Sequence, residues 1–592
     1  MVTLSGVYVP VSVAFPGTLA DIDAFLSLLS TLSRTDVVFW CAKINHVLTN
    51  ASDLNHMQRQ AVGVRQFLTP EEAYLIGGFS EEHGGTVTVF LRGALLEIIR
   101  WAVLVCEDHT NDGTTFEDPE VRRTFAKVAL IANDIWGSRV YGRLSLDGGI
   151  AAARDRSIGP FRKGVEAGMV APQLAHSLGR GWEIFHKLIP ATNKFFSERF
   201  ESAAGLNIEE YYACACTLIT NLLKPGSAAS IFDSTTVGSN TKNPALLEHF
   251  VALESQTLSD LRRALWGDDP VEEILGKDLP VYDYKPLREK PLIRAADGRT
   301  IISDPVFMND KLSVGPLFHA LRSCRSDEVQ QMFADFGHAV ERHAQAILRR
   351  AFPMPVAGLF DPLACGLSGT SSRGERFEID AHLNYVTDLI LFEVKGTWLR
   401  EEEFAPENSP SLLRSLYRQY GASEEGRKGT AQLARLVTMI SSGEWFGPEF
   451  RQVRRILPVL VVQDLLLGAP GFGSFVAAAF DRALGPCERL ASGERLKGTM
   501  RVTAPIVITI EDLELLEVSV EHFGFREALV DYSDEYPERM TSFSQFLAIS
   551  SKYSRQIYGN RHLASASMEA LQLAMEQLFS QPAARRGGRS EE

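Results

Sequence analysis

No stretch of this 592-residue chain stays apolar for the roughly 20 residues that a bilayer crossing needs. The first basic residue is Arg34, and Pro10 and Pro16 interrupt the early apolar run, so the N-terminus does not read as a secretory signal. Cysteine is scarce: seven are scattered at 41, 106, 214, 216, 324, 365 and 487. Only Cys214 and Cys216 lie close together, and one C-x-C without a second pair is a weak zinc signal. Such usage suits a reducing compartment, and a cytoplasmic location is expected. Positive charge is in deficit too. The net charge of −14 has the wrong sign for a protein that coats nucleic acid through bulk electrostatics, so a nucleic-acid role needs a local basic face. Two common motifs are missing. There is no G-x-x-x-x-G-K-[ST] loop, since the nearest string places Gly429 after Gly426-Arg427-Lys428. No nucleotide cofactor is therefore expected. A G-x-S-x-G elbow is also missing.

What is present is ordinary soluble composition, 45% apolar and 23% charged, in a chain too long for one core. No internal repeat is visible. Residues 1–20 read as strand-like, with Val7, Val9, Val11, Val13 and Phe15 alternating. From about Leu19 to Leu265 the pattern is helical, with helix-length segments at Val87–Cys106, Val121–Trp136 and Glu209–Leu223. Polar loops break it at 107–116 and 225–243. Leu292 to Ile302 reads as a hairpin around Asp297-Gly298. A long helix is expected from Ser326 to Arg350, stopped by Pro353 and Pro355. A Gly/Ser-rich loop at 366–374 follows, then two strands, a helix at Thr430–Ile440, and strands at Ile456–Val462 and Ala504–Ile510. The predicted division is a mainly helical region at 1–275, a hairpin-containing connector at 276–325 and an α+β domain at 326–515. A helical extension at 516–580 and a disordered tail at 581–592 complete it.

Chemistry concentrates in the two strands after that loop. The first carries Glu378, Asp380 and His382, and the second carries Glu393 and Lys395. Charge buried in a strand costs several kcal/mol unless a partner or a metal compensates it. Alternation predicts one shared face for Glu378 and Asp380, and one for Glu393 and Lys395. A short hairpin centred between Val386 and Thr387 would set Asp380 directly across from Glu393, about 5 Å away. Carboxylates that close repel unless a cation lies between them, and Mg²⁺ (or Mn²⁺) fits the gap. Asp380, Glu393 and the Val394 carbonyl are the candidate ligands, with Lys395 placed to orient or deprotonate a water.

Asp-(x)12-Glu-Val-Lys on a strand pair resembles the active site of the PD-(D/E)xK, restriction-endonuclease-like nuclease superfamily. That family places a glutamate on the helix before the hairpin, and here Gly337-x-x-x-Glu341 makes Glu341 the candidate extra ligand. Many members carry a glutamine on the following helix, which Gln432 would supply. The resemblance spans about 326 to 512 and implies an αβββαβ core and metal-dependent phosphodiester hydrolysis. The proline before Asp380 is replaced by Ile379, as in many members. By the same resemblance, DNA is favoured over RNA, and restriction or defence against phage is the implied role. An RNase of this fold and a non-cleaving nucleic-acid-binding scaffold are the alternatives. His338 and His343 flank Glu341, but five residues rotate about 140° on a helix, so they diverge and do not form a zinc pair. His382 is read as structural.

Between Ser411 and Arg455 eight basic residues face four acids. Arg414, Arg418, Arg427, Lys428 and Arg435 are the candidate nucleic-acid contacts, with Tyr417 and Tyr420 interleaved for stacking. The first 320 or so residues exceed what a nuclease core needs. Sensing, target binding, oligomerisation or an activating partner are the roles open to them.

Overall fold

The computed structural model describes residues 7–49, 55–85, 87–108, 118–141, 174–222, 231–232, 241–275, 284–296, 298–353, 363–370, 374, 376–398, 409–423, 426–427, 429–444, 450–468, 471–490, 492–520, 522–554 and 559–578. It is a mixed α/β protein, with many helices around a mixed sheet. Among the described residues no helix is long and apolar enough to cross a membrane.

Two apolar cores meet at a small sheet. One gathers helices from the first 136 residues together with residues 258–307. The other gathers helices from 178 to 253 with the long helix, the main sheet and the C-terminal helices. The hairpin strands Leu292–Arg294 and Thr300–Ile302 divide them. Leu292 and Ile302 face the second core, while their neighbours Ile293 and Ile301 face the first. A period of two thus gives each core one side of the sheet. The described residues of the expected 1–275 region divide between both cores, and most described residues of the stretch read as a connector are buried. Helix Pro305–Ser313 buries nearly every residue, and its N-cap Asp304 makes a two-pronged ion pair with Arg92 at 2.8 and 2.9 Å.

The main sheet has eight strands among the described residues. Its centre follows the chain. The long helix (Ser326–Ala351) leads into an edge strand (Leu363–Thr370), the Asp380 strand (Arg376–Asn384) and the Glu393 strand (Asp388–Lys395), paired antiparallel in that order. After helix Ser409–Tyr420 and the Gln432 helix (Thr430–Ser441), strand Arg455–Val462 lies parallel to the Glu393 strand. That strand is buried through Ile456–Val462, as a run covered on both faces must be. Pro458 is tolerated inside it because its second neighbour changes there, from Met500–Val502 to Ile506–Thr509. The long helix buries Met332, Phe336, Ala339, Val340, Ala344, Ile347 and Leu348 at helical spacing. Asp327 and Glu328 in its first turn and Arg349 and Arg350 in its last complement its dipole.

Three local expectations are corrected. The described part of 1–20, from Val7 on, is not one strand. Among these residues only Val7–Tyr8 pairs, with Val87–Thr88, and Pro10 then starts a short helix, Val11–Ala14, that buries Val11 and Ala14. The helix expected from Val87 begins at Arg92, because Val87 and Thr88 serve as that partner strand. Within the loop expected at 366–374, residues 366–370 belong to the edge strand: Gly366, Ser368 and Thr370 are exposed, and its Gly366 and Gly369 hide the alternation. The tail from 581 and most of the two predicted polar loops lie outside the described residues.

Candidate active site

A two-residue turn, Val386-Thr387, joins the Asp380 and Glu393 strands. Tyr385 N–H donates to the Asp388 carbonyl at 2.8 Å, and Val386 N–H donates to Asn384 Oδ1 at 2.8 Å. Val386 takes φ 68°, costly for a β-branched residue, and the Arg454 and Arg455 N–H groups brace the turn through the Thr387 carbonyl. The turn sets the register: Leu383 faces Ile390, and Ala381 faces Phe392. One step on in that register, Asp380 comes opposite Glu393. The paired ladder ends just before it. Asp380 Oδ2 instead accepts the Val394 N–H at 2.6 Å. Its neighbour on the other side is Gly366, at φ 64°, between the pairs Cys365–Ala381 and Leu367–Ile379. Ile379 packs with Leu389 and Leu391, whereas Ala381 and Leu383 pack in the core of the long helix. Strict alternation therefore does not carry Glu378 and Asp380 onto one shared face, contrary to expectation.

The long helix closes the site. A Cβ on Gly396 would lie 2.8 Å from the Gly337 Cα, so glycine at 396 lets the helix approach the end of the Glu393 strand. One turn on, Glu341 Oε1 accepts from Gln345 Nε2 at 2.9 Å, and the same amide donates to the Asp380 carbonyl at 3.0 Å. Buried Gln345 thus ties the helix acid to the strand acid. Its spacing of four from Glu341 was the available sequence signal. Lys395 sets its ammonium on Glu393 Oε1. Glu393 is fully buried, and among the described residues no other donor reaches its oxygens.

These surroundings shift protonation. Burial first, then the charge of Glu341, pushes Asp380 up to about 6, against the pull of the Val394 N–H and Lys395. Burial pushes Glu393 up to about 8, with Lys395 opposing and Asp380 adding. For Lys395, burial works against the charge, but Glu393, Asp380 and Glu341 outweigh it and raise its pKa. Three acids share one ammonium.

Gln432 does not reach the carboxylates. Its amide donates to the Glu378 carbonyl at 3.3 Å, and it lines a neighbouring groove with Arg435. Val394 enters the site through its N–H. Arg414 and Arg418 are exposed on helix Ser409–Tyr420. Lys428 lies outside the described residues, as does the side chain of Arg427. Tyr420 is buried rather than offered for stacking. Its hydroxyl donates to the Thr397 carbonyl at 3.0 Å, bracing the segment after Lys395. Tyr417 is covered by the Arg482 guanidinium, 4.6 Å from its ring centre. His338 is exposed and His343 is buried on Glu514 at 2.9 Å, so the two histidines do diverge. His382 is buried, with its ring 5.2 Å from that of Phe450.

Among the described residues, no group of three or more His, Cys, Asp or Glu side chains is arranged to hold a metal ion. The donors present still suit a hard cation. Mg²⁺ takes one or two carboxylates and fills its other positions with water and phosphate. Glu393 Oε2, buried without a donor, and the raised pKa values of Glu393 and Asp380 mark where positive charge is missing. Comparison of the chain with protein-family models, with curated proteins and with solved structures found no match.

Proposed function

We propose that this protein is a divalent-metal-dependent nuclease that hydrolyses phosphodiester bonds, in DNA before RNA. The observation that carries this reading is the buried pair of Asp380 and Glu393 at the open end of a strand ladder, with Lys395 held on Glu393. A purely structural ion pair would not collect a second and third acid around one ammonium, because each raises the cost of the others. The order of long helix, three antiparallel strands, helix and parallel strand supports it further. It resembles the αβββαβ core of the PD-(D/E)xK nucleases, with the acids and the lysine at the corresponding positions.

Asp380 and Glu393 would hold the cation, with Glu341 beside them. When bound, it would neutralise charge at the scissile phosphate and lower the pKa of an attacking water. Lys395 keeps its proton at neutral pH and presents it at Nζ, where it can hydrogen-bond a non-bridging phosphate oxygen or orient the water. The Val394 N–H and Gln345 fix the Asp380 carboxylate and carbonyl, so the acid is oriented before substrate arrives. Burial of Glu393 keeps bulk water from that side.

Plasmid DNA and a structured RNA, incubated with the full-length protein in Mg²⁺ or Mn²⁺ and again with EDTA, test the proposal. Cutting that needs the cation and is faster on DNA is the expected result. Failure to cut either polymer in either metal would overturn it. Cutting of RNA alone would move the substrate to RNA.

A further inference from the structure

Beside the carboxylates lies a groove of about 630 Å³, between the Gln432 helix and the paired ends of the edge and Asp380 strands. This is within the roughly 300–1,000 Å³ of small-ligand pockets. Among the described residues its walls carry Arg376, Arg435, the ring of Phe377, the Gln432 amide and one acid, Glu378. Two guanidinium groups thus stand with one acid among the described lining residues, on a chain whose net charge is −14. Arg376 is exposed on the strand, and Arg435 is half-buried on the helix opposite. The Phe377 ring lies across Gly369: a Cβ there would meet the ring at 2.5 Å. Glycine at that point lets the aromatic rest against the strand backbone and border the groove.

Each wall has a matching chemistry. Planar guanidinium groups fork onto phosphate oxygens. An aromatic ring stacks on a base, and only on one whose own stack is open. A carboxylate accepts from an exocyclic amino group of a base.

We propose that this groove holds an unpaired nucleotide next to the scissile phosphate. Arg376 and Arg435 take its phosphate, Phe377 takes its base, and the protein acts on single-stranded or frayed ends rather than on intact duplex. The placement rests on the nuclease reading of the neighbouring carboxylates; the binding does not.

Fluorescence anisotropy in EDTA tests it, with a short fluorescein-labelled single-stranded oligodeoxynucleotide and the full-length Asp380→Asn protein. Arg376→Ala in that background should weaken binding about tenfold and reduce the salt slope by about one. Phe377→Leu should weaken binding by about the same factor without changing the slope. A duplex of the same sequence should bind about tenfold more weakly than the single strand. Thermal melts of both variants verify that they fold. Unchanged binding in both folded variants, equal affinity for duplex, or no binding of the oligonucleotide would overturn the groove proposal, even if the wild-type protein cuts DNA. Binding that depends on Arg376 and Phe377 without any metal-dependent cutting would uphold the groove and overturn the nuclease reading instead.

Discussion

Asp380→Asn should make the metal-free protein more stable while ending its activity. Asparagine keeps an acceptor for the Val394 N–H and resembles the protonated acid in shape. What it removes is the cost of a buried charge. Asp380 has a folded pKa of about 6 against an unfolded value of 3.8. A raised acid binds more protons folded than unfolded, so its contribution is fully present below pH 3.8. It is lost as pH rises through 6 and is flat above that. At about 1.4 kcal/mol per pKa unit, the wild-type penalty at pH 8 is about 3 kcal/mol. For a cooperative unit of about 250 residues this corresponds to a melting shift of about 6 °C, and more for a smaller one. Differential scanning fluorimetry in EDTA, from pH 4 to 8, reads it. Asp380→Asn should melt above wild type at pH 8, and the gap should close towards pH 4. Saturating Mg²⁺ should reverse the order by stabilising wild type alone. A variant that melts below wild type at pH 8 in EDTA would refute the argument, because Asp380 would then be stabilising without a metal.

Lys395→Met should lower the cutting rate by about 10² to 10⁴-fold. It also leaves Glu393 without its cation, so melting temperature should fall chiefly above pH 8, where that acid must ionise. Gln345→Leu removes the donor shared by Glu341 and the Asp380 carbonyl. It should cost about 1–3 kcal/mol in chemical denaturation and slow cutting with little change in KM. Arg180→Met should destabilise by about 3–5 kcal/mol, because Glu514, fully buried on the Arg180 guanidinium, then keeps only the His343 imidazole as a side-chain partner among the described residues. Burial opposes ionisation of Glu514, but Arg180 and His343 prevail and hold its pKa at about 2. That support exists above pH 4.5 and is lost as pH falls towards 2, so the Arg180→Met defect should shrink in acid.

The placement of Asp380 opposite Glu393 was legible because its signals are local. A tight turn and a period of two were enough to bring Asp380 opposite Glu393, and helical spacing identified the helix of Glu341. The edge strand was not legible. Gly366, Ser368 and Gly369 have low strand propensity, and an edge needs only one paired side. The break in alternation at Asp380 depends on a side chain replacing a ladder bond, which no periodicity reports. Long-range partners were also hidden. Arg180 and Glu514 lie 334 positions apart. Glu254 gathers Tyr211, Lys311 and His319 into one buried cluster from separate helices, all four in stretches read as helical region or connector. Tyr420 looked like a stacking aromatic because composition cannot tell an exposed ring from a buried one.

The most direct measurement is a matched cleavage assay. Wild type, Asp380→Asn and Lys395→Met, purified in parallel, are incubated with one end-labelled single-stranded DNA in Mg²⁺. The account predicts metal-dependent cutting by wild type, and loss of at least about a hundredfold in both folded variants. Equal cutting by all three, or none by wild type in Mg²⁺ or Mn²⁺, would contradict it.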